Sequence, residues 1–479
     1  MARMPIERDG VPQNFALAVL AMGEFTRRFL MAASAALDSV RRWRKGGFSA
    51  KTLANKPLNA AAQRHPVGAK PNFPLLENSR LSMLDMLRSD KAKSLLTPSR
   101  RGNVPPFMVM DVMAAAARIE ADGGNVIHME VGQPAASAPK TAIAAARAAL
   151  DIGRIDYTSA LGIPSLRRRI SRHYRDTYSA DVDPARIVIT TGSSGGFILA
   201  FLSMFEAGDR VAMTIPGYPP YRHILSALGC EPVLIETTSA TRHALTGEML
   251  LDAHARTPLK GVLIASPANP TGTMMTREAL SDLIASAESA GVRFVSDEIY
   301  HGLDYAFPAV TAAQLSPNVL IINSFSKYFC MTGWRVGWMV VPEALVRSVE
   351  TLQQNLSISV PTLSQIAAEA AFDGRAEMEI IKHGYEDNRR ILIESLPKVG
   401  LTKFLPADGA FYLYADVSDF TQDSYAFAKE MLERAHVAAT PGIDFDPVHG
   451  RSFIRFCYAR STQETVEAVA RITRWLSKG

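Results

Sequence analysis

The chain has 479 residues, 47% of them hydrophobic, which argues against a single small domain. Its formal charge is +5, yet residues 1–75 hold twelve Lys/Arg against four Asp/Glu, so the remaining residues carry a net −3 and offer no field for a nucleic-acid backbone. Cys230, Cys330 and Cys457 lack the paired spacing of a zinc or redox motif, and the ten histidines lack one-turn pairing, so no metal site is expected.

In chain order, the apolar run Phe15–Met22 comes first. It is shorter than the ~20 apolar residues that cross a bilayer, so no membrane partner is expected. Arg3 and Arg8 are offset by Glu7 and Asp9, a poor start for a secretory signal, although Ala33-Ser34-Ala35 looks like a cleavage site. The acid-poor, Arg- and Ala-rich character fits an organelle transit peptide, and equally an extension upstream of a start near Met83. The expected location is the cytoplasm, with an organelle matrix as the alternative. Lys56–Pro74 reads as a flexible linker. Residues 1–82 are taken together as a basic, flexible extension.

Beyond about residue 105 strand-like and helix-like segments alternate, as in an α/β sheet covered by helices on both faces. Strands are expected at Ile187–Thr191, Val211–Ile215, Pro232–Glu236, Gly261–Ser266, Arg293–Asp297, Val319–Ser324 and Val336–Val341, and a helix at Arg277–Ala290. In such sheets the ligand crevice lies beyond the carboxyl ends of the strands. The polar motifs fall there in order: Thr191–Gly196, Pro216-Gly217-Tyr218, Asn269-Pro270-Thr271-Gly272, Asp297–Tyr300 and Ser324–Lys327.

Each motif has a chemical reading. Thr191–Gly196 leads into a helix expected from about Phe197, so free backbone N–H groups and the helix dipole would face an anion. Tyr218, on a proline-stiffened turn, could stack on a flat heteroaromatic ring. Asp297 ends an apolar strand, where a carboxylate needs a cationic partner, and a pyridinium nitrogen would serve. Asn269 and Tyr300 could both hydrogen-bond a phenolate oxygen. In Ser324–Arg335 one lysine, Lys327, stands between hydroxyls with an arginine eight positions on: a carbonyl-trapping amine beside an anion cradle. Singly, each motif is explained as well by an ordinary turn; their joint order is not.

That order resembles the class I/II aminotransferases that use pyridoxal 5'-phosphate, of fold type I and aspartate-aminotransferase-like, from about Val104 to the end. The resemblance implies an α/β fold with a mostly parallel seven-stranded sheet in a large domain and a smaller α+β domain. It divides the body into residues 83–150 (lead-in and first part of the small domain), 151–385 (large domain) and 386–479 (rest of the small domain). It implies that Lys327 holds the cofactor as a Schiff base and moves the α-proton, that Asp297 pairs with the pyridine nitrogen, and that Tyr300 and Asn269 bind the phenolate oxygen. Tyr218 would stack on the ring, while Ser193, Ser194, Ser324 and Arg335 would hold the phosphate. Asp156-Tyr157-Thr158 resembles the segment whose tyrosine reaches the neighbouring subunit's phosphate, which implies a homodimer with active sites at the interface. Gly132, in Val131-Gly132-Gln133-Pro134, and Arg455, in Ser452–Phe456, resemble the groups that bind the substrate carboxylate. The Ile215-Pro216 and Asn269-Pro270 bonds are expected to be cis.

One departure concerns the substrate. Animal-type aspartate enzymes bring a second arginine from the partner chain for the distal carboxylate, and the matching stretch here, Leu356–Pro361, has none. Transfer of an amino group from an L-α-amino acid to a 2-oxo acid by a ping-pong route is therefore expected, with aspartate in doubt as donor. A carbon–sulfur β-lyase or related eliminase is the alternative, and a cofactor-sensing regulator the third reading.

Overall fold

A computed structural model describes residues 96–477. The expected extension, with its apolar run and linker, lies outside the described residues. A short strand β1 (Ile127–His128) follows the helix Met108–Ala121, and the main sheet is then built from β2 (Ile187–Thr190), β3 (Arg210–Ile215), β4 (Glu231–Glu236), β5 (Gly261–Ala265), β6 (Arg293–Asp297), β7 (Leu320–Ser324) and β8 (Gly337–Val340). These seven strands lie in the order β2-β8-β7-β6-β5-β3-β4. The β3–β4, β3–β5, β5–β6 and β6–β7 pairs are parallel, and β8 runs against both of its neighbours. The expected mostly parallel seven-stranded sheet is present, each strand starting and ending within a residue of its expected bounds.

Period-two alternation explains why these runs are apolar throughout. Val188, Leu320 and Ile322 pack into one core, while Ile187, Ile189 and Ile321 pack into another across the sheet. Strand β4 is the exception, exposed at both ends and carrying Pro232, as an edge strand tolerates.

A second, antiparallel sheet has the order β12-β13-β10-β9, from β9 (Lys403–Phe404), β10 (Tyr412–Asp416), β12 (Thr440–Pro441) and β13 (Phe453–Cys457). Strand β1 pairs in parallel with β11 (Val437–Ala438), so the loop after β1 is held beside the late part of the chain.

One expectation needs adjusting. The helix after β2 is Gly192–Met204 and begins five residues before Phe197, so Ser193 and Ser194 lie in its first turn rather than in a loop ahead of it. The cause is Gly192 at φ +70°, which reverses the chain at the strand end. The Ile215-Pro216 and Asn269-Pro270 bonds are cis as expected, and Ser266-Pro267, which drew no expectation, is cis too.

Candidate active site

The β7–β8 hairpin places the central amine. Ser324 and Gly337 pair at its base, and Phe325, fully buried against Phe329, Phe372 and Trp338, anchors the turn between them. With its apolar residues turned inward, the turn gives Lys327 and Arg335 to a cleft of about 690 Å³ at the carboxyl edge of the sheet. Lys327 Nζ donates to the Gly132 carbonyl at 2.5 Å. Burial pushes its pKa down to about 8, with Arg455 and Arg335 adding to the effect, so much of the amine is neutral and nucleophilic at mildly alkaline pH.

Asp297, at the end of β6, is 3% exposed. It accepts from the Tyr221 hydroxyl and, at 3.1 Å, from the Ile299 N–H. Burial raises its pKa to about 6, and those two donors together with Lys327 oppose the rise. Tyr218 also lines the cleft, meeting Phe107 edge-on at 5.8 Å and Tyr221 at 5.2 Å. The Tyr300 hydroxyl lies 2.7 Å from that of Tyr412. Asn269 accepts through Oδ1 from Arg455 Nη1 at 2.8 Å, which turns its NH₂ group away from the arginine.

Arg455 sits in the middle of β13, 2% exposed. Its guanidinium lies 4.4 Å from the Tyr412 ring centre and 4.6 Å from that of Phe445. Nη2 donates to the Glu130 carbonyl and, at 3.1 Å, to Thr440 Oγ1, while Nε is buried without a partner. A buried cation with a spare donor is suited to a carboxylate. Gly132 approaches the Tyr412 hydroxyl so closely that no Cβ fits between them.

Ser193, Ser194, Tyr218, Asn269, Asp297, Tyr300, Lys327, Arg335, Gly132 and Arg455 therefore share one cleft. Two expected residues do not line it. Ser324 is buried behind the turn, its hydroxyl 2.8 Å from that of Ser326 and donating to the Val336 carbonyl at 3.1 Å, and Ser326 is the one that faces the cleft. Tyr157 is 79% exposed and away from this chain's cleft. Sequence reasoning passed over Tyr221, Tyr412 and Ser326. Tyr221 had a signal, since it follows Tyr218 by three residues at the start of a helix, whereas Tyr412 is brought in by tertiary packing alone.

Pyridoxal 5'-phosphate fits these residues. Thr191 gives no side-chain cap to the helix Gly192–Met204, so its first-turn N–H groups are open to an anion, and at Gly192 a Cβ would lie 2.6 Å from the Arg335 guanidinium. Asp297 offers a buried carboxylate to a ring nitrogen, and Lys327 an amine to an aldehyde.

The sheet, the strand-end lysine and the anion cradle define a pyridoxal-phosphate-dependent enzyme of fold type I. The model of the family described as aminotransferase class I and II matches residues 124–472, and the chain belongs to that family. It is 49% identical over 380 residues to a valine–pyruvate aminotransferase of Mycobacterium tuberculosis, covering 78% of this chain and 97% of the relative. A crystal structure of an aminotransferase from the same organism is 48% identical, with a TM-score of 0.78 over 80% of this chain and all of that one. The Thermus thermophilus aspartate aminotransferase with maleate is 29% identical, with a TM-score of 0.75 over 79% of this chain and 99% of that one. The protein is a pyridoxal-phosphate-dependent aminotransferase that uses amino acid and 2-oxo acid substrates, and the lyase alternative is not favoured. Among the described residues no helix is long and apolar enough to cross a membrane.

Proposed function

We propose that the protein moves the amino group of a neutral L-amino acid, of which valine is the type, to pyruvate. The observation that carries this is the cleft's arginine content: among the described residues that line it, the arginines are Arg335 and Arg455. With one at the phosphate and one at the α-carboxylate, none remains in this chain for a distal carboxylate, and the stretch Leu356–Pro361, which matches the region where animal-type aspartate enzymes supply the partner's arginine, has none either. Phe107, Val109, Met110 and Val131 line the same cleft and favour an apolar side chain. The name of the mycobacterial relative agrees. A panel of donors, scored by loss of the cofactor's visible band in single turnover, tests the reading. L-valine and L-alanine should react faster than L-aspartate, and a preference for aspartate would overturn it.

The residue roles belong to the same proposal. The cofactor, when bound, supplies the electron sink for the α-carbon. Lys327 holds it and carries the proton to and from that carbon. Asp297, aided by Tyr221, keeps the ring nitrogen charged; Asn269 and Tyr300 orient the phenolate oxygen; Tyr218 packs on the ring. Ser193, Ser194, Ser326 and Arg335 take the phosphate, with Ser324 buttressing Ser326. Arg455 and the Gly132 backbone orient the substrate carboxylate.

The functional unit is taken as a homodimer in which Tyr157 completes the neighbouring phosphate site; its 79% exposure in one chain supports this. Mixing Tyr157→Phe with Lys327→Ala chains would then create heterodimers with one intact site. Activity should rise above either parent if the Tyr157→Phe homodimer is impaired. No gain in verified heterodimers would place Tyr157 elsewhere. The boundaries 83–150, 151–385 and 386–479 are kept as the domain division, supported by the main sheet lying within 187–340 and the second within 403–457. The cytoplasm is kept as the location, to be tested by fractionation.

A further inference from the structure

The helix Met108–Ala121 brings Val109 and Met110 to the cleft, and its far end is tied down by charge. There His128 of β1 lies between two carboxylates, with Nε2 3.0 Å from Glu120 Oε1 and Nδ1 2.8 Å from Glu130 Oε1. A carboxylate only accepts, so both ring nitrogens must donate, which requires the imidazolium. The Glu130 side chain is fully buried, and its Oε2 has no partner. An uncompensated carboxylate is costly in such a place, and His128 supplies the adjacent positive charge.

The segment 128–132 reaches the reacting end of the cleft twice. The Glu130 carbonyl accepts from Arg455 Nη2 and, at 2.8 Å, from Thr440 Oγ1. Two residues on, the Gly132 carbonyl accepts from Lys327 at 2.5 Å. Strand β1 is only two residues long, and the backbone hydrogen bonds that extend it, from the Met129 N–H to the Ala438 carbonyl at 2.9 Å and from the Cys457 N–H to the Met129 carbonyl at 2.7 Å, stop one residue short of Glu130. The ion cluster adds side-chain restraint where the ladder is short.

We propose that His128, as an imidazolium clasped between Glu120 and Glu130, positions the carboxylate-binding end of the cleft. It touches no reacting atom and acts through the Glu130 carbonyl on the plane of the Arg455 guanidinium. This rests on the reading that Arg455 binds the substrate carboxylate. The charged groups around the ring are Glu130 two residues beyond it on the loop after β1, Glu120 on the helix Met108–Ala121, and Arg460, whose Nε donates to the His128 carbonyl at 2.7 Å. Glu464, on the helix Thr462–Leu476, is the further charge that faces it. The hydrogen bond to Glu130, with the Glu120 contact adding to it against partial burial, raises the ring's pKa to about 9. The clasp is thus closed at neutral pH and opens as pH rises through that value.

The test is calorimetric binding of 3-methylbutanoate, a valine-shaped carboxylate with no amino group to react, to the holoenzyme between pH 7 and 10. His128→Gln should weaken binding at pH 7 by about 10-fold, roughly one charge-assisted hydrogen bond. KM for both substrates should rise more than kcat falls. Wild-type affinity should drop as pH passes about 9, and the variant should lack that drop; Lys327 and its link to the cofactor are the same in both proteins, so the difference isolates His128. Glu120→Gln, which leaves the buried pair intact, should show a smaller loss and serves if His128→Gln does not fold. Wild-type binding and an unchanged pH dependence in either folded variant would overturn the clasp. Arg455→Gln separates the two ideas. If it binds 3-methylbutanoate normally, the Arg455 reading fails; if it loses binding while the His128 and Glu120 variants do not, only the clasp fails.

Discussion

The two walls of the cleft are built in opposite ways. On the side of the seven-stranded sheet, the polar groups are presented by loops and first turns at strand ends: Ser193, Asn269, Asp297 and Lys327 lie on a strand's last residue or within four residues beyond it, and Arg335 lies two residues before the first residue of β8. On the side of the smaller sheet, Arg455 and Tyr412 stand within strands, fixed by cross-strand neighbours and by the Arg455–Tyr412 contact. A loop end offers backbone N–H groups and short hydroxyls, which suit a phosphate and a fixed ring. A mid-strand guanidinium, packed between rings and tied to carbonyls, offers one rigid fork, which suits a carboxylate that must arrive and leave at every turnover.

Substitutions that strike one wall should therefore leave the signature of that wall alone. The largest effect belongs to Lys327→Ala, which should fold normally yet lose transamination by at least about 1000-fold, since one group supplies both nucleophile and base. Borohydride trapping with peptide mapping checks it: label on any other lysine would refute the assignment. Next comes Arg455→Lys, which keeps the charge and loses the fork. We expect kcat/KM to fall about 100-fold while cofactor affinity falls far less, through the lost bond to Asn269 alone, as suits the loss of a paired, charged hydrogen bond to the substrate. Loss of cofactor instead would break the division between the walls.

A smaller effect is expected at Tyr221→Phe, where the signature is a shift in pH. The Tyr221 hydroxyl favours the ionised form of Asp297, so its removal must raise a carboxyl already lifted to about 6. Asp297 is ionised above its pKa and neutral below it. The acid limit for cofactor capture by the apoprotein should thus move upward by roughly one pH unit. Stopped-flow capture rates across pH 5–8 would show it, and a downward move would be fatal. Smallest of all, Ser326→Ala should weaken cofactor binding by about 5-fold, and Ser324→Ala by less, because only Ser326 faces the cleft. The reverse order in titrations of the apoprotein would restore Ser324 as the contact.

Legibility in the sequence follows the same division. The cofactor wall could be read because its parts are short contiguous motifs at the ends of apolar runs, in an order that only this sheet explains. The strands themselves were visible as short unbroken apolar runs, because Ile187, Val188 and Ile189 are divided between two cores and both faces are buried. What escaped is what only tertiary packing creates. Tyr412 meets Tyr300 across 112 residues, and Glu130 meets Arg455 across 325. Ser324 and Ser326 were separable only once the turn was known, since a hydroxyl two residues along a chain faces the same way in a strand and need not in a bend. The helix start at Gly192 was missed because a glycine at a strand end can prolong a loop or turn the chain straight into a helix, and only its positive φ in the folded chain shows which.

The antiparallel course of β8 has a consequence for what the cleft can measure. Lys327 and Arg335 belong to one turn whose two ends are clamped by the Ser324–Gly337 pair and whose first residue, Phe325, is wedged into the core. Under the roles proposed here, the point of covalent attachment and the point of charge neutralisation are set on a single rigid caliper, opened to a fixed gap before any ligand arrives. Such a gauge judges length: an aldehyde whose phosphate arm is one methylene too long or too short cannot satisfy both jaws at once, however well its ring is received between them.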